Sequence, residues 1–291
     1  AKLIEATSFW AARNRVVTRG GVGEVVEKLL AFKNGISASE RYLKDLRLRL
    51  GRFAADFPQH ICDVTTPEIQ DWLDCLGLSN CSYGNYRRVL HILFEFAVAR
   101  GFAIDNPVKA TQAVKADKFA IQIFTPTEMR KLLAAASVEF IPCIVLGAFA
   151  GLRSAEIKRL TWDDIRLADR HIVVGKDKAK TASRRIVPIW ENCATWLAPY
   201  AGHAGAVWGG GYSQFYDEQK RTAKEAGIVW KRNGLRHSYA SYRFAQTMDA
   251  GRVAGELGNS AVVVHRHYRE LVTPKAGEEW FAIKPSREAS N

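Results

Sequence analysis

Apolar residues recur along the first hundred positions at intervals of three and four. Val25, Val26, Leu29 and Leu30 form one set; Tyr42, Leu46, Leu48 and Phe53 a second; Ile69, Trp72, Leu73 and Leu76 a third; Val89, Leu90, Leu93, Phe94 and Ala97 a fourth. That interval places each set on one face of an α-helix. The punctuation agrees. Thr66-Pro67-Glu68 reads as a helix start, with threonine as cap and proline at the first position, and Gly77 as its end. A last helix runs from about Ser82 to Arg100 and stops at Gly101. Residues 21–106 are therefore predicted to form a helical domain, preceded by an extension over 1–20. Residues 107–124 carry Pro107 and scattered lysines without a period, the pattern of a linker.

The second half changes rhythm. Thr125-Pro126-Thr127-Glu128 predicts a helix with a capping box, its apolar face built from Met129, Leu132, Leu133 and Ala136. The apolar stretch 141–152 reads as a buried helix closed by Gly151. His171-Ile172-Val173-Val174 and Arg185-Ile186-Val187-Pro188-Ile189 read as strands joined by a polar turn over 176–184. Helices resume around Tyr212–Ala226, Leu235–Gln246 and 250–257. The expected fold is mainly α with a small β-sheet: a helical domain followed by an α+β domain over 125–270. A tail over 271–291 holds Pro274 and an apolar turn around Trp280, Phe281 and Ile283.

A chain of 291 residues accommodates two such domains, and its 47% hydrophobic and 25% charged content is that of a globular protein. The run 141–152 is short of the roughly 20 residues that span a bilayer, and the opening residues lack the pattern of a signal peptide. The five cysteines are odd in number, contain no Cys-x-x-Cys and fit no zinc spacing. They read as buried free thiols in a reducing compartment. The formal charge of +12 points to a polyanionic partner, nucleic acid being the commonest.

Four residues have the chemistry to act on such a partner: Arg153, Lys180, Arg236 and Tyr268. Two arginines can grip one phosphate, because each stays charged and offers a rigid fork of donors. A lysine can protonate a leaving oxygen, and a tyrosine can attack phosphorus. Taken singly, each has a plainer reading: a solvated arginine, a solvated turn lysine, a tyrosine that only packs. Their settings argue otherwise. Arg153 lies in Gly-Leu-Arg-Ser-Ala-Glu-Ile (151–157), followed by Leu-Thr-Trp-Asp-Asp-Ile (160–165). Arg236 lies in Leu-Arg-His-Ser-Tyr-Ala-Ser (235–241). Lys180 precedes Pro188 by eight residues, and Tyr268 follows Asn259 of Leu-Gly-Asn-Ser by nine.

Together and in this order, these segments resemble the tyrosine recombinase (phage integrase) family over about residues 21–270. The resemblance implies that 21–106 is a small helical core-binding (SAM-like) domain and 125–270 the catalytic domain. It implies a site-specific recombinase that cleaves and rejoins DNA through a 3′-phosphotyrosyl intermediate, with no cofactor and no metal. Arg153 and Arg236 would bind the phosphate, Lys180 would be the general acid (Lys178 and Lys176 are the fallbacks) and Tyr268 the nucleophile. Two positions depart from the pattern. Asn233 stands three residues before the second arginine, where the family has His or Lys, and Asn259 stands where it has His or Trp. An asparagine donates a hydrogen bond but shuttles no proton; His237, His265 and His267 lie near enough in sequence to substitute. The alternative is a recombinase-derived DNA-binding protein with weak or no cleavage. Arg41, Lys44, Arg47, Arg87 and Arg88 are the candidate DNA contacts. The implied partners are double-stranded DNA, three further copies of the chain on DNA with a monomer when free, and accessory DNA-bending proteins. No membrane is implied, and the expected location is the cytoplasm of a bacterium, at the nucleoid. In the family such a tail docks on a neighbouring protomer; packing on its own domain is the other option.

Overall fold

A computed structural model describes residues 17–115, 120–175, 184–268 and 272–285, with the side chain of His267 not described. The chain divides into two compact units, 1–119 and 120–291.

Among the described residues the first unit has four α-helices around one core: α1 (Val22–Gly35), α2 (Glu40–Asp56), α3 (Thr66–Cys75) and α4 (Asn80–Ala99). Val25, Leu29, Leu46, Leu50, Phe53, Ile69, Leu93 and Phe94 are buried at its centre. Phe53 stacks on Phe57 with ring centroids 4.3 Å apart, and Trp72 meets Phe53 edge-on at 5.1 Å. Two sequence expectations are corrected. Leu48 is 71% exposed, because α2 turns its Leu43, Leu46, Leu50 and Phe53 stripe inward and Leu48 falls on the opposite face. The cap of α3 is Thr65 rather than Thr66: Glu68 accepts from both the Thr65 backbone N–H and its hydroxyl, each at 2.7 Å. The start of the expected linker is held in place: Pro107–Ala110 forms a 3-10 turn, and the Arg87 guanidinium donates to Val108 O at 3.1 Å and Thr111 O at 3.2 Å.

The second unit carries α5 (Pro126–Ala135), α6 (Ile141–Phe149) and a one-turn α7 (Ser154–Ile157). The antiparallel strands β1 (Ile165–Arg166), β2 (His171–Val174) and β3 (Arg185–Pro188) follow, in that spatial order. β2 and β3 pair with Ile172 opposite Val187 and Val174 opposite Arg185. Then come α8 (Glu191–Leu197), α9 (Tyr212–Glu225), α10 (Gly234–Thr247), α11 (Ala250–Leu257), α12 (Ala261–Tyr268) and α13 (Pro274–Phe281). The fold is thus mainly helical with one small sheet. α6 is buried from Pro142 to Phe149, so its sequence is apolar on every face. The tail is a helix rather than a turn, and it seats on its own unit. Trp280 is fully enclosed, donates its indole N–H to Ala148 O at 3.0 Å and stacks on Tyr242 at 4.4 Å.

All five cysteines are free, but only Cys143 and Cys193 are buried; Cys75 and Cys81 are exposed and Cys62 is half-buried, which corrects the expectation of five buried thiols. Among the described residues no helix is long and apolar enough to cross a membrane.

Candidate active site

The site begins where α6 ends. Gly151 has φ +66°, and a Cβ there would fall 2.5 Å from Tyr239 Cδ1 and 2.8 Å from Leu257 Cδ2. Only glycine fits this turn, for conformation and for space. Gly151→Ala is therefore expected to destabilise the second unit by more than about 1 kcal/mol in urea unfolding, since the new methyl has no room and the backbone is strained. The turn does two things. It aims Gly151 O at Arg236, which donates from Nη1 at 2.6 Å, and it brings Arg153 to the start of α7.

Arg153 and Arg236 converge on one atom. Asn259 Oδ1 accepts from Arg153 Nη2 at 2.8 Å and from Arg236 Nη2 at 3.2 Å. Arg236 also caps α11 by donating to Leu257 O at 2.7 Å. Gly258 (φ +62°) then turns the chain so that Asn259 faces the two guanidinium groups. Arg236 is 7% exposed. Burial, together with the charge of Arg153, lowers its pKa to about 9, which leaves it cationic at neutral pH.

Glu156 anchors the cluster from beneath. It is fully buried and accepts from Arg153 Nη1 at 2.8 Å, from the Arg153 backbone N–H at 2.9 Å and from both terminal nitrogens of Arg185 at 3.1 and 2.8 Å. Burial by itself would raise its pKa, but the hydrogen bonds from Arg185 and Arg153 and the charge of Arg185 hold it at about 2. One carboxylate against three guanidinium groups leaves an excess of positive charge, and that excess suits an anion with several oxygens. A second buried cluster fixes α11 against α10. Glu256 accepts from Tyr239 Oη at 2.8 Å and from Arg243, whose guanidinium lies 3.9 Å over the Trp190 ring.

Tyr268 closes the site from the last residue of α12. It is 4% exposed, and its hydroxyl lies 2.8 Å from His237 Nδ1, the proton's side of that bond depending on the imidazole tautomer. Burial raises its pKa, while the charges of Arg236 and Arg153 pull it back. Arg153, Arg236, Asn259 and Tyr268 are thus brought together within one unit.

The other candidates are placed differently. Lys180, with Lys176 and Lys178, lies outside the described residues, between the ends of β2 and β3. Asn233 is exposed at the left-handed N-cap of α10 (φ 53°), accepts the His237 backbone N–H at 2.9 Å, and lines a cavity of about 330 Å³ beside Arg153, Arg236 and Trp230. His265 faces the Phe244 ring edge-on at 6.5 Å. In the first unit Arg41, Lys44 and Arg47 are exposed along α2 and Arg88 is exposed on α4, whereas Arg87 is spent on the carbonyls of 108–111. Sequence reasoning did not single out Arg185, which sits at a strand start 29 residues from Glu156 and carries no local signal of pairing with it. Among the described residues no group of His, Cys, Asp and Glu could hold a metal ion.

The chain is 25% identical to the tyrosine recombinase XerD of Caulobacter vibrioides over 271 residues, 83% of this chain and 87% of that one. In fold it is similar to a lambda integrase(75-356) dimer bound to a COC′ core site, with a TM-score of 0.71 at 17% identity over 87% of this chain and 98% of the other. It is also similar to a lambda integrase tetramer bound to a Holliday junction, with a TM-score of 0.71 at 18% identity over 88% and 80%. Residues 122–273, which hold both arginine boxes, Asn259 and Tyr268, match the phage integrase family. The chain belongs to that family of tyrosine recombinases.

Proposed function

We propose that the protein is a site-specific DNA recombinase that breaks and rejoins strands through Tyr268. One observation carries the reading: Arg153 and Arg236 meet at Asn259 Oδ1, while the Tyr268 hydroxyl meets the residue next to Arg236. A scissile phosphate would take over the arginine hydrogen bonds that Asn259 now receives. Tyr268 Oη then forms the bond to phosphorus, the bond to the 5′ oxygen breaks, and Lys180 supplies that oxygen with a proton. The phosphotyrosyl link keeps the bond energy, so a 5′-hydroxyl reseals the strand by the reverse attack. The charge that builds on the non-bridging oxygens falls between the two arginines.

The domain over 21–106 is the core-binding module in this reading, with Arg41, Lys44, Arg47 and Arg88 as phosphate contacts that set register. The active assembly is four copies on two duplexes, as in the lambda integrase tetramer bound to a Holliday junction, with DNA-bending proteins as accessories in a bacterial cytoplasm. A second reading, a DNA-binding protein that no longer cleaves, draws on Asn259: its Oδ1 accepts from both arginines, where a proton-carrying side chain is the family's habit.

A nicked suicide substrate from the ends of the protein's own mobile element separates the two. The recombinase traps a covalent complex that survives detergent; the binder shifts the DNA tightly and leaves no adduct. Lys180→Ala is expected to slow adduct formation by about 10²–10⁴-fold without changing DNA affinity.

A further inference from the structure

The slot three residues before Arg236 holds Asn233, which can take no proton and whose side chain is exposed at a left-handed cap. Proton removal from Tyr268 must therefore come from elsewhere. Of the three histidines near in sequence, His265 lies against Phe244 and the side chain of His267 is not described, while His237 Nδ1 stands 2.8 Å from the Tyr268 hydroxyl. That distance is within reach for direct proton transfer.

Resting on the recombinase reading, we propose that His237 is the general base of the cleavage step and the general acid of the resealing step. In cleavage the Tyr268 Oη–P bond forms, the P–O5′ bond breaks, the phenol proton passes to His237 Nδ1, and the 5′ oxygen receives its proton from Lys180. In resealing the 5′-hydroxyl attacks, the Oη–P bond breaks, His237 returns its proton to Tyr268, and the 5′-hydroxyl proton goes to Lys180. Position 237 suits the role because the helix that sets Arg236 on the phosphate side also sets the imidazole on the phenol.

Among the described residues, two charged groups bear on the pair. Arg236 from α10 and Arg153 from the start of α7 face it, and both favour an anionic oxygen. Glu256 of α11 is occupied by Tyr239 and Arg243. α6 contributes only apolar side chains and Cys143, and the charged residues of α13 and the remaining described ones of α12 are exposed.

The test measures adduct formation on the nicked substrate against pH for the full chain and for His237→Asn, which keeps a polar atom near the Nδ1 position but accepts no proton. The wild-type rate is expected to rise between about pH 5 and 8, where histidine titrates. In His237→Asn the rate falls by about 10²–10⁴-fold and that rise disappears. His237→Ala, bound to DNA as tightly as wild type, is expected to regain cleavage with added imidazole. A DNA carrying sulfur at the 5′ bridging position, whose thiolate leaves unprotonated, restores Lys180→Ala but not His237→Asn. If the wild type forms an adduct and His237→Asn matches it with the same pH profile, the inference fails alone. A slow variant that keeps the pH rise, with no imidazole rescue in His237→Ala, reduces His237 to a packing residue and overturns it as well. If the wild type forms no adduct, the recombinase reading falls and this inference with it.

Discussion

Tyr268→Phe is expected to abolish covalent attachment to DNA while leaving non-covalent affinity unchanged. The substitution removes one oxygen. The phenol ring keeps its place at the end of α12, buried among Tyr239, Phe244, Leu257 and Val264, so the fold has little reason to move. The lost hydrogen bond to His237 is worth about 1 kcal/mol of stability. The arginines still grip the phosphate, because neither of them depends on the hydroxyl for its own anchors: Arg236 is held by Gly151 O and Leu257 O, Arg153 by Glu156. Binding and cleavage should therefore separate cleanly in a gel-shift assay run beside detergent-resistant adduct formation. Because Tyr268 and both arginines belong to the same chain's site, mixing Tyr268→Phe with Arg236→Ala should restore no cleavage. Restored activity in the mixture would mean that the tyrosine is delivered to a neighbour.

Glu156→Gln should produce the largest loss of stability. The carboxylate is fully enclosed and compensates Arg185, whose side chain is 8% exposed, as well as Arg153. Removing its charge leaves a buried guanidinium uncompensated, and the expected cost is about 3–5 kcal/mol in urea unfolding at neutral pH. The same carboxylate makes stability depend on acid. Its pKa of about 2 in the folded protein lies below the ordinary value of 4.5, so the native state holds fewer protons than the unfolded chain. The stabilisation, on the order of 3 kcal/mol, is complete above about pH 4.5 and is lost as pH falls toward 2. Wild type should therefore weaken across that window more steeply than Glu156→Gln. Parallel pH slopes for the two proteins would show that Glu156 is not the group responsible. Activity should fall too, since Arg153 loses the partner that fixes Nη1.

What could be read from the sequence was local. The four described helices of the first unit follow from apolar residues three and four apart, although their caps at Ser39, Thr65 and Ser79 are seen only in the fold. The stop at Gly151 and the hairpin strands around 171–174 and 185–188 follow from glycine's conformational freedom and from β-branched runs. What escaped was set by packing. α12 reads Ala-Val-Val-Val-His-Arg-His-Tyr, a β-branched run that forms a helix only because Val264 and Tyr268 bury against α10 and α11. α13 looked like a turn because eight residues carry little periodic signal; Trp280 under α6 makes it a helix. β1 is two residues long and exists through its pairing with β2. At the site, the motif positions of Arg153, Arg236 and Tyr268 were legible, but the atoms that organise them were not. Arg185 meets Glu156 across 29 residues, and His237 meets Tyr268 across 31. His265 and His267 stand beside the tyrosine along the chain and His237 beside Arg236, yet the fold brings His237 to the Tyr268 hydroxyl and sets His265 against Phe244.

The central claim is that the oxygen of residue 268 becomes the DNA's covalent partner. The direct measurement is peptide mapping by mass spectrometry of the complex trapped on nicked DNA, after denaturation and nuclease trimming. The account predicts a residual 3′-nucleotide on the peptide containing Tyr268 and on no other. A nucleotide on a different residue, or DNA held by the wild type at saturation with every tyrosine unmodified, would contradict it.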